Sequence, residues 1–176
     1  PHVLFPAMPV LVRFPRMHHA DTDIDATTGV RCHPVEIVIS MGIKCSAVLA
    51  LGAPPMGVIV FEVLLNATAM FNHANLRIPL GMDRLLRCFL VTPDMHRVHH
   101  SIEVGETNSN FGFNLPWWDR LFGTYTAQHA KGHEGMTIGL ESFRERKFLK
   151  LRWILAIPFL DDDGRYPMWR RNADRR

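Results

Sequence analysis

An all-α, membrane-embedded helical bundle carrying a histidine-rich cap is the fold this sequence predicts. Three observations predict it. The longest apolar region, 35–71, is broken only near its middle, by Pro54-Pro55. Histidines cluster on both sides of that region rather than inside it. The composition, 47% hydrophobic and 21% charged over 176 residues, gives one domain a sizeable core and excludes a disordered chain.

Residues 1–15 are apolar but carry Pro1, Pro6, Pro9 and Pro15, so no clean helix is expected there. Residues 16–36 are polar and dense in His and Asp. Within 35–71 the longest uncharged run is 45–61, and the second proline of Pro54-Pro55 forces its predecessor out of helical geometry. Two helices meeting at 52–57 follow, each about long enough to enter a bilayer of ~30 Å hydrocarbon thickness as a hairpin. Lys44 and Glu62 interrupt the apolarity, and ionisable groups at that depth face protein or water. A buried hairpin in a soluble helical domain is the competing reading. Residues 79–100 carry a helical stripe of Leu85, Leu86, Phe89 and Leu90, restarted at Pro93. Residues 101–142 are loop-rich. The last apolar run, 149–160, is too short to span and is expected along the interface or on the core.

The net charge is +3, and many of the basic residues follow Phe143, ending in Arg170, Arg171, Arg175 and Arg176. Such a tail suits anionic lipid headgroups, and nothing resembles a nucleic-acid-binding module. Cys32, Cys45 and Cys88 are scattered, which argues against a disulfide framework or a thiolate zinc site and fits a reducing compartment. The chain opens at Pro1 without initiator Met or signal peptide, and the upstream part is expected to be missing.

The strongest chemical element is His96-Arg97-Val98-His99-His100. On a helix, positions i, i+3 and i+4 share one face, so three imidazoles point at one place, as a transition metal requires. His18-His19 form a second cluster, followed by Asp21, Asp23 and Asp25, which either orient ligand imidazoles or form a solvated loop. His33 precedes the apolar hairpin and His73 follows it, so both lie at the same membrane face. Trp117-Trp118 with Phe111 and Phe113 are either interfacial or core aromatics. Asn108, Asn110 and Asn114 are expected to cap or brace their loop. His129 and His133 are expected as partnerless surface residues. A zinc hydrolase would want an HExxH-like pairing, and His133-Glu134 lacks the second His. No G-x-S-x-G elbow or cysteine dyad is present.

Five motifs, in order between about residue 9 and residue 142, carry a resemblance. They are His-His-Ala-Asp-x-Asp-x-Asp at 18–25, Arg-x-His-Pro-x-Glu at 31–36, Asn-His-Ala-Asn at 72–75, Thr-Pro-Asp-Met-His-x-x-His-His-Ser at 92–101, and Asn-Phe-Gly-Phe-Asn-Leu-Pro-Trp-Trp-Asp-Arg-Leu-Phe-Gly-Thr-Tyr at 110–125. Together the chain resembles the fatty acid hydroxylase/sterol desaturase family of membrane-bound di-iron oxygenases. The resemblance implies three histidine boxes and two further histidines holding two irons at the cytosolic ends of a transmembrane bundle. His96, His99 and His100 match the third box, and His33 and His73 the two further positions. His18 and His19 match the end of the second box, with Pro15 where its first His is expected. His2 falls where the first box would begin and Pro6 where it would end. A proline supplies no ligand and is expected to disrupt the helix that aims its neighbours.

The family implies oxygen-dependent hydroxylation or desaturation of a lipid C–H bond, with fatty acyl and sterol-like chains as the substrate class. It also implies electrons from a separate donor such as cytochrome b5 or a ferredoxin. The expected organisation is a di-iron domain over 1–145, its N-terminal part missing, and an apolar, basic tail over 146–176. The alternative is a catalytically inactive relative that keeps the fold and binds lipid or a partner, which Pro6 and Pro15 favour.

Overall fold

The computed structural model describes residues 11–161, and these residues are helical, with no strand and one isolated antiparallel bridge between Ser101 and Ile138. His2, Pro6 and the terminal arginines lie outside the described residues. The first short helix, α1 (Arg16–His19), is followed by a 3-10 turn at Thr28–Val30. The hairpin then consists of α2 (Pro34–Leu51) and α3 (Pro55–Asn72).

Local chemistry explains the hairpin. His33 is extended and its ring nitrogen accepts from the Val35 amide at 3.2 Å, while Pro34 occupies the first turn, where no amide is missed. Gly52, at φ 60, closes α2 in the left-handed conformation that glycine adopts at little cost. Pro54 is extended, and Pro55 opens α3 in the same way that Pro34 opens α2. Both helices are long and apolar enough to cross a membrane, each about 27 Å at 1.5 Å per residue. Only 6% and 11% of their apolar windows are buried, so they are not core helices of a soluble fold. Lys44 and Glu62 pair across the hairpin at 2.6 Å, which neutralises both charges between the apolar faces. An antiparallel pair returns its ends to one side, and the cap assembles there.

The cap follows as α4 (Leu80–Leu86), α5 (Pro93–His99), α6 (Val104–Thr107), α7 (Trp117–Phe122), α8 (Gly132–Gly135) and α9 (Leu151–Ala156). The Thr28–Val30 turn and α5 both pack on α3. Gly29 permits the first contact, because a Cβ there would lie 2.7 Å from the Ala69 carbonyl oxygen and 3.2 Å from His73 Nδ1. A small core of Val12, Ala20, Leu140, Phe148 and Ile157 holds α1 against the 146–160 segment. That segment packs on the core through Ile154 and Ile157 and leaves Leu149, Leu151 and Phe159 exposed.

Candidate metal centre

Three separate elements deliver six imidazoles to one buried place. α1 supplies His18 and His19, the C-cap of α3 supplies His73, and α5 with its C-cap supplies His96, His99 and His100. All six are buried. Thr92 caps α5 by accepting from the Met95 amide at 3.4 Å, and Pro93 opens it, so His96, His99 and His100 share one inward face. Four of the six, His18, His73, His96 and His100, each offer a ring nitrogen within 4.8 Å of the others. His19 stacks on His100 with ring centroids 4.6 Å apart and faces His99 at 4.8 Å, which extends the cluster without a break.

The proton positions follow from the partners. A carbonyl oxygen only accepts, so Nδ1 of His18 donates to Thr28 at 3.0 Å, Nδ1 of His73 to Ala69 at 2.7 Å, and Nδ1 of His99 to Ser109 at 2.9 Å. In the neutral tautomer this leaves a lone pair on each Nε2. His73 Nε2 lies 3.1 Å from His18 Nε2 and 3.0 Å from His96 Nε2. The His18 and His73 lone pairs, facing each other at 3.1 Å, repel unless a cation sits between them, whereas the His73–His96 contact is satisfied either by the same cation or by a proton on His96 Nε2. Burial pushes His73 and His99 down to about 4, and burial with the neighbouring histidines pushes His100 well below its ordinary value, so these three rings are neutral at pH 7. Two imidazole nitrogens on one metal at ~2.1 Å would sit about 3.0–3.4 Å apart for angles between octahedral and tetrahedral, close to the 3.1 Å and 3.0 Å found. Neither ring nitrogen of His100 has a hydrogen-bond partner among the described residues, although the ring is fully buried. The site therefore fits a transition-metal ion held by neutral imidazoles.

The remaining expected residues fall differently. His33 is buried, but its ring neighbours among the described residues are Phe14 and Phe159, and one ring nitrogen serves as the helix cap. Pro15 does not disrupt its helix. It stands at the N-cap of α1, where a missing amide costs nothing, and its carbonyl accepts from the amides of His18 at 3.0 Å and His19 at 2.9 Å. Of the acids, Asp21 acts on His18 at one remove: it bonds Arg31 at 2.7 Å and the Thr28 hydroxyl at 2.7 Å, and Thr28 holds His18. Asp25 closes the turn on Thr27, and Asp23 is exposed.

His129 is buried rather than a partnerless surface residue. Its Nε2 lies 3.0 Å from Glu106 Oε2, and its Nδ1 accepts from the Lys131 amide at 2.9 Å. His133 is half-buried, 3.6 Å from Asp94, which itself pairs with Arg97 at 2.9 Å. Asn110 braces the loop behind the cluster as expected. It is fully buried at φ 50, donates to the carbonyls of Met95 and Thr126, and accepts from the Thr126 amide. Asp119 gathers the amides of Phe111 and Gly112 and the Thr124 hydroxyl, and so fixes Phe111 against His99 at 5.5 Å. Trp117 and Trp118 are exposed.

Comparison with known proteins gives the family. The fatty acid hydroxylase family model matches residues 2–124. The chain is 29% identical to ornithine lipid hydroxylase OlsE of Rhizobium tropici over 115 residues, 65% of this chain and 34% of that protein. It is 30% identical to the alkylglycerol monooxygenase of Homo sapiens over 133 residues, 74% of this chain and 28% of that protein. The Xenopus tropicalis alkylglycerol monooxygenase is also 30% identical, over 129 residues, 72% of this chain and 27% of that protein. The chain thus spans about a third of the length of these curated relatives. No solved structure matches it. With the family model covering most of the chain and every motif that carries the cluster within or next to the matched span, this chain belongs to the fatty acid hydroxylase family.

Proposed function

We propose that this chain forms part of a membrane oxygenase that hydroxylates or desaturates a C–H bond of a lipid at a histidine-ligated di-iron centre. The observation that carries the reading is the buried group of His18, His73, His96 and His100, in which the Nε2 lone pairs of His18 and His73 face each other at 3.1 Å. His18, His73, His96 and His100 would hold one iron, and His19 and His99 would turn the cluster toward a second. His33 and His2 are further candidate ligands. The names of the relatives, a lipid hydroxylase and an alkylglycerol monooxygenase, support a lipid substrate.

Iron bound there would supply the activation of dioxygen needed to oxidise an unactivated C–H bond. The chain's own residues do the rest. The carbonyls of Thr28, Ala69 and Ser109 fix the tautomers, as outer partners of metal-bound imidazoles do. Phe111 covers His99 and excludes water from that side. Inserting one oxygen atom into a C–H bond and releasing the other as water takes two electrons and two protons. A separate donor, such as cytochrome b5 or a ferredoxin, would deliver the electrons, since the chain carries no flavin or nicotinamide fingerprint. The hairpin would lie in the membrane with the cluster at its cytoplasmic face. The di-iron domain would cover 1–145, followed by the tail 146–176.

The second reading, an inactive relative that binds lipid or a partner, rests on Pro15, which contributes no ligand where the second box expects one. Incubation of the iron-loaded protein with membrane lipids, a reductase system and ¹⁸O₂ separates the two. Labelled hydroxyl or a new double bond supports the oxygenase, and iron-loaded protein that consumes neither lipid nor oxygen supports the inactive relative.

A further inference from the structure

Away from the histidines, α4 and α7 lie side by side, joined by Trp117 Nε1 donating to the Cys88 carbonyl at 2.6 Å and Arg120 donating to the Arg87 carbonyl at 2.9 Å. Between them opens a cleft of about 430 Å³, lined by Arg84, Arg87, Arg120, Tyr125 and Gln128. Its charge is one-sided, with three guanidiniums against the single carboxylate of Asp83. Asp83 is already committed to Arg87 at 2.6 Å, and both are almost fully buried. Arg87 also donates to the Ala127 carbonyl, yet its Nη2 has no hydrogen-bond partner among the described residues. Arg120 lies over the Tyr125 ring at 4.9 Å, which holds its guanidinium at the cleft. Two exposed guanidiniums, Arg84 and Arg120, beside the buried charge of Arg87, favour an oxyanion in this cleft.

The surroundings say what carries that oxyanion. Leu85 on α4, Phe89 just after it, and Trp118, Leu121 and Phe122 on α7 are all more than half exposed. Fully aqueous surroundings do not favour so contiguous an apolar and aromatic face, whereas aromatic rings with arginine at a bilayer surface are common. The cleft sits in the cap that follows α3, and the hairpin of α2 and α3 is itself apolar and exposed.

We propose that the Arg84–Arg87–Arg120 cleft binds the anionic headgroup of a bilayer lipid, its phosphate or carboxylate, while the apolar face of α4 and α7 rests in the interface. This is a second lipid site, separate from the metal centre, and it rests on the oxygenase reading only for the hairpin's place in a bilayer.

The test uses the full chain in neutral detergent, titrated with phosphatidylglycerol or phosphatidylcholine of identical acyl chains, with bound lipid counted by native mass spectrometry. Phosphatidylglycerol is expected to be retained in preference, with the preference falling about fivefold per arginine removed in Arg84→Gln and Arg120→Gln. Both side chains are exposed, and unchanged helix content and metal content in the variants establish that the fold and the histidine cluster persist. Equal retention of the two lipids by the unmodified chain, or a preference that survives in the double variant, overturns the proposal. Displacement of the lipid by millimolar inorganic phosphate also overturns it, in favour of a free-anion site. Metal-free protein that still prefers phosphatidylglycerol would leave this inference standing even if the oxygenase reading fails.

Discussion

His73 Nε2 and His18 Nε2 face each other at 3.1 Å from residues 55 positions apart, each ring already committed through Nδ1 to a backbone carbonyl. Two distant pieces of chain, the Thr28–Val30 turn and the last turn of α3, thus aim two lone pairs at one point. Predictions about the cluster follow from how those aims are held.

Gly29→Ala strikes both aims at once. Its Cβ would stand 2.7 Å from the Ala69 carbonyl oxygen, a backbone atom that cannot swing away and that receives the His73 proton. Either the turn or the end of α3 shifts. Metal affinity is expected to fall about 10–100-fold, the range for disturbing the partners of metal-bound imidazoles. Metal titration with circular dichroism as the fold control checks this, and unchanged affinity would refute the close approach.

Asn110→Ala removes two donated bonds and one accepted bond at a fully buried residue and takes from the half-buried Thr126 backbone the partner of both its amide and its carbonyl. The loss is expected to be about 1–3 kcal/mol, the cost of leaving buried polar groups without their partner. Because Ser109 orients His99, metal binding should weaken as well. Thermal unfolding in detergent measures the first effect, and a melting temperature within a degree of the unmodified chain would contradict it.

Acid should destabilise the metal-free protein early. His73 and His99 are held to about 4 by burial, below the ~6.5 of an unfolded chain. Between those values the unfolded state binds more protons, so stability rises with pH and is lost as pH falls from about 6.5 toward 4. The slope is at most about 1.4 kcal/mol per pH unit for each such histidine. Unfolding midpoints that stay flat between pH 7 and 4.5 would count against buried neutral imidazoles.

In the hairpin, Glu62→Gln strips Lys44 of its counter-charge, at a cost of up to about 3 kcal/mol for a lone Lys at membrane depth. Replacing both residues by Met should recover most of that loss. Unfolding of the single and double variants in lipid nanodiscs decides it. Additive losses would mean that the pair does not interact.

Much of this was legible in the sequence, for reasons that are local. Pro54-Pro55 breaks one apolar run into two because each proline restricts its predecessor, and His96, His99 and His100 converge because helical spacing alone puts them on one face. The carbonyls of Thr28, Ala69 and Ser109 left no signal, since every residue carries the same acceptor. His129 gave none either, because Glu106 reaches it only through the closed cap. Pro15 misled for a narrower reason. A proline disrupts a helix interior and suits its start, and α1 begins one residue after it, a register that pattern reading does not resolve.

These imidazoles are proposed to hold iron. Metal content per chain, measured on detergent-purified protein alongside His73→Ala and Pro15→His variants, tests that proposal most directly. Iron near two per chain is expected in the unmodified protein, with loss of at least one in His73→Ala and no dependence of fold on Pro15. Zinc in place of iron, or no metal in any variant, would contradict it.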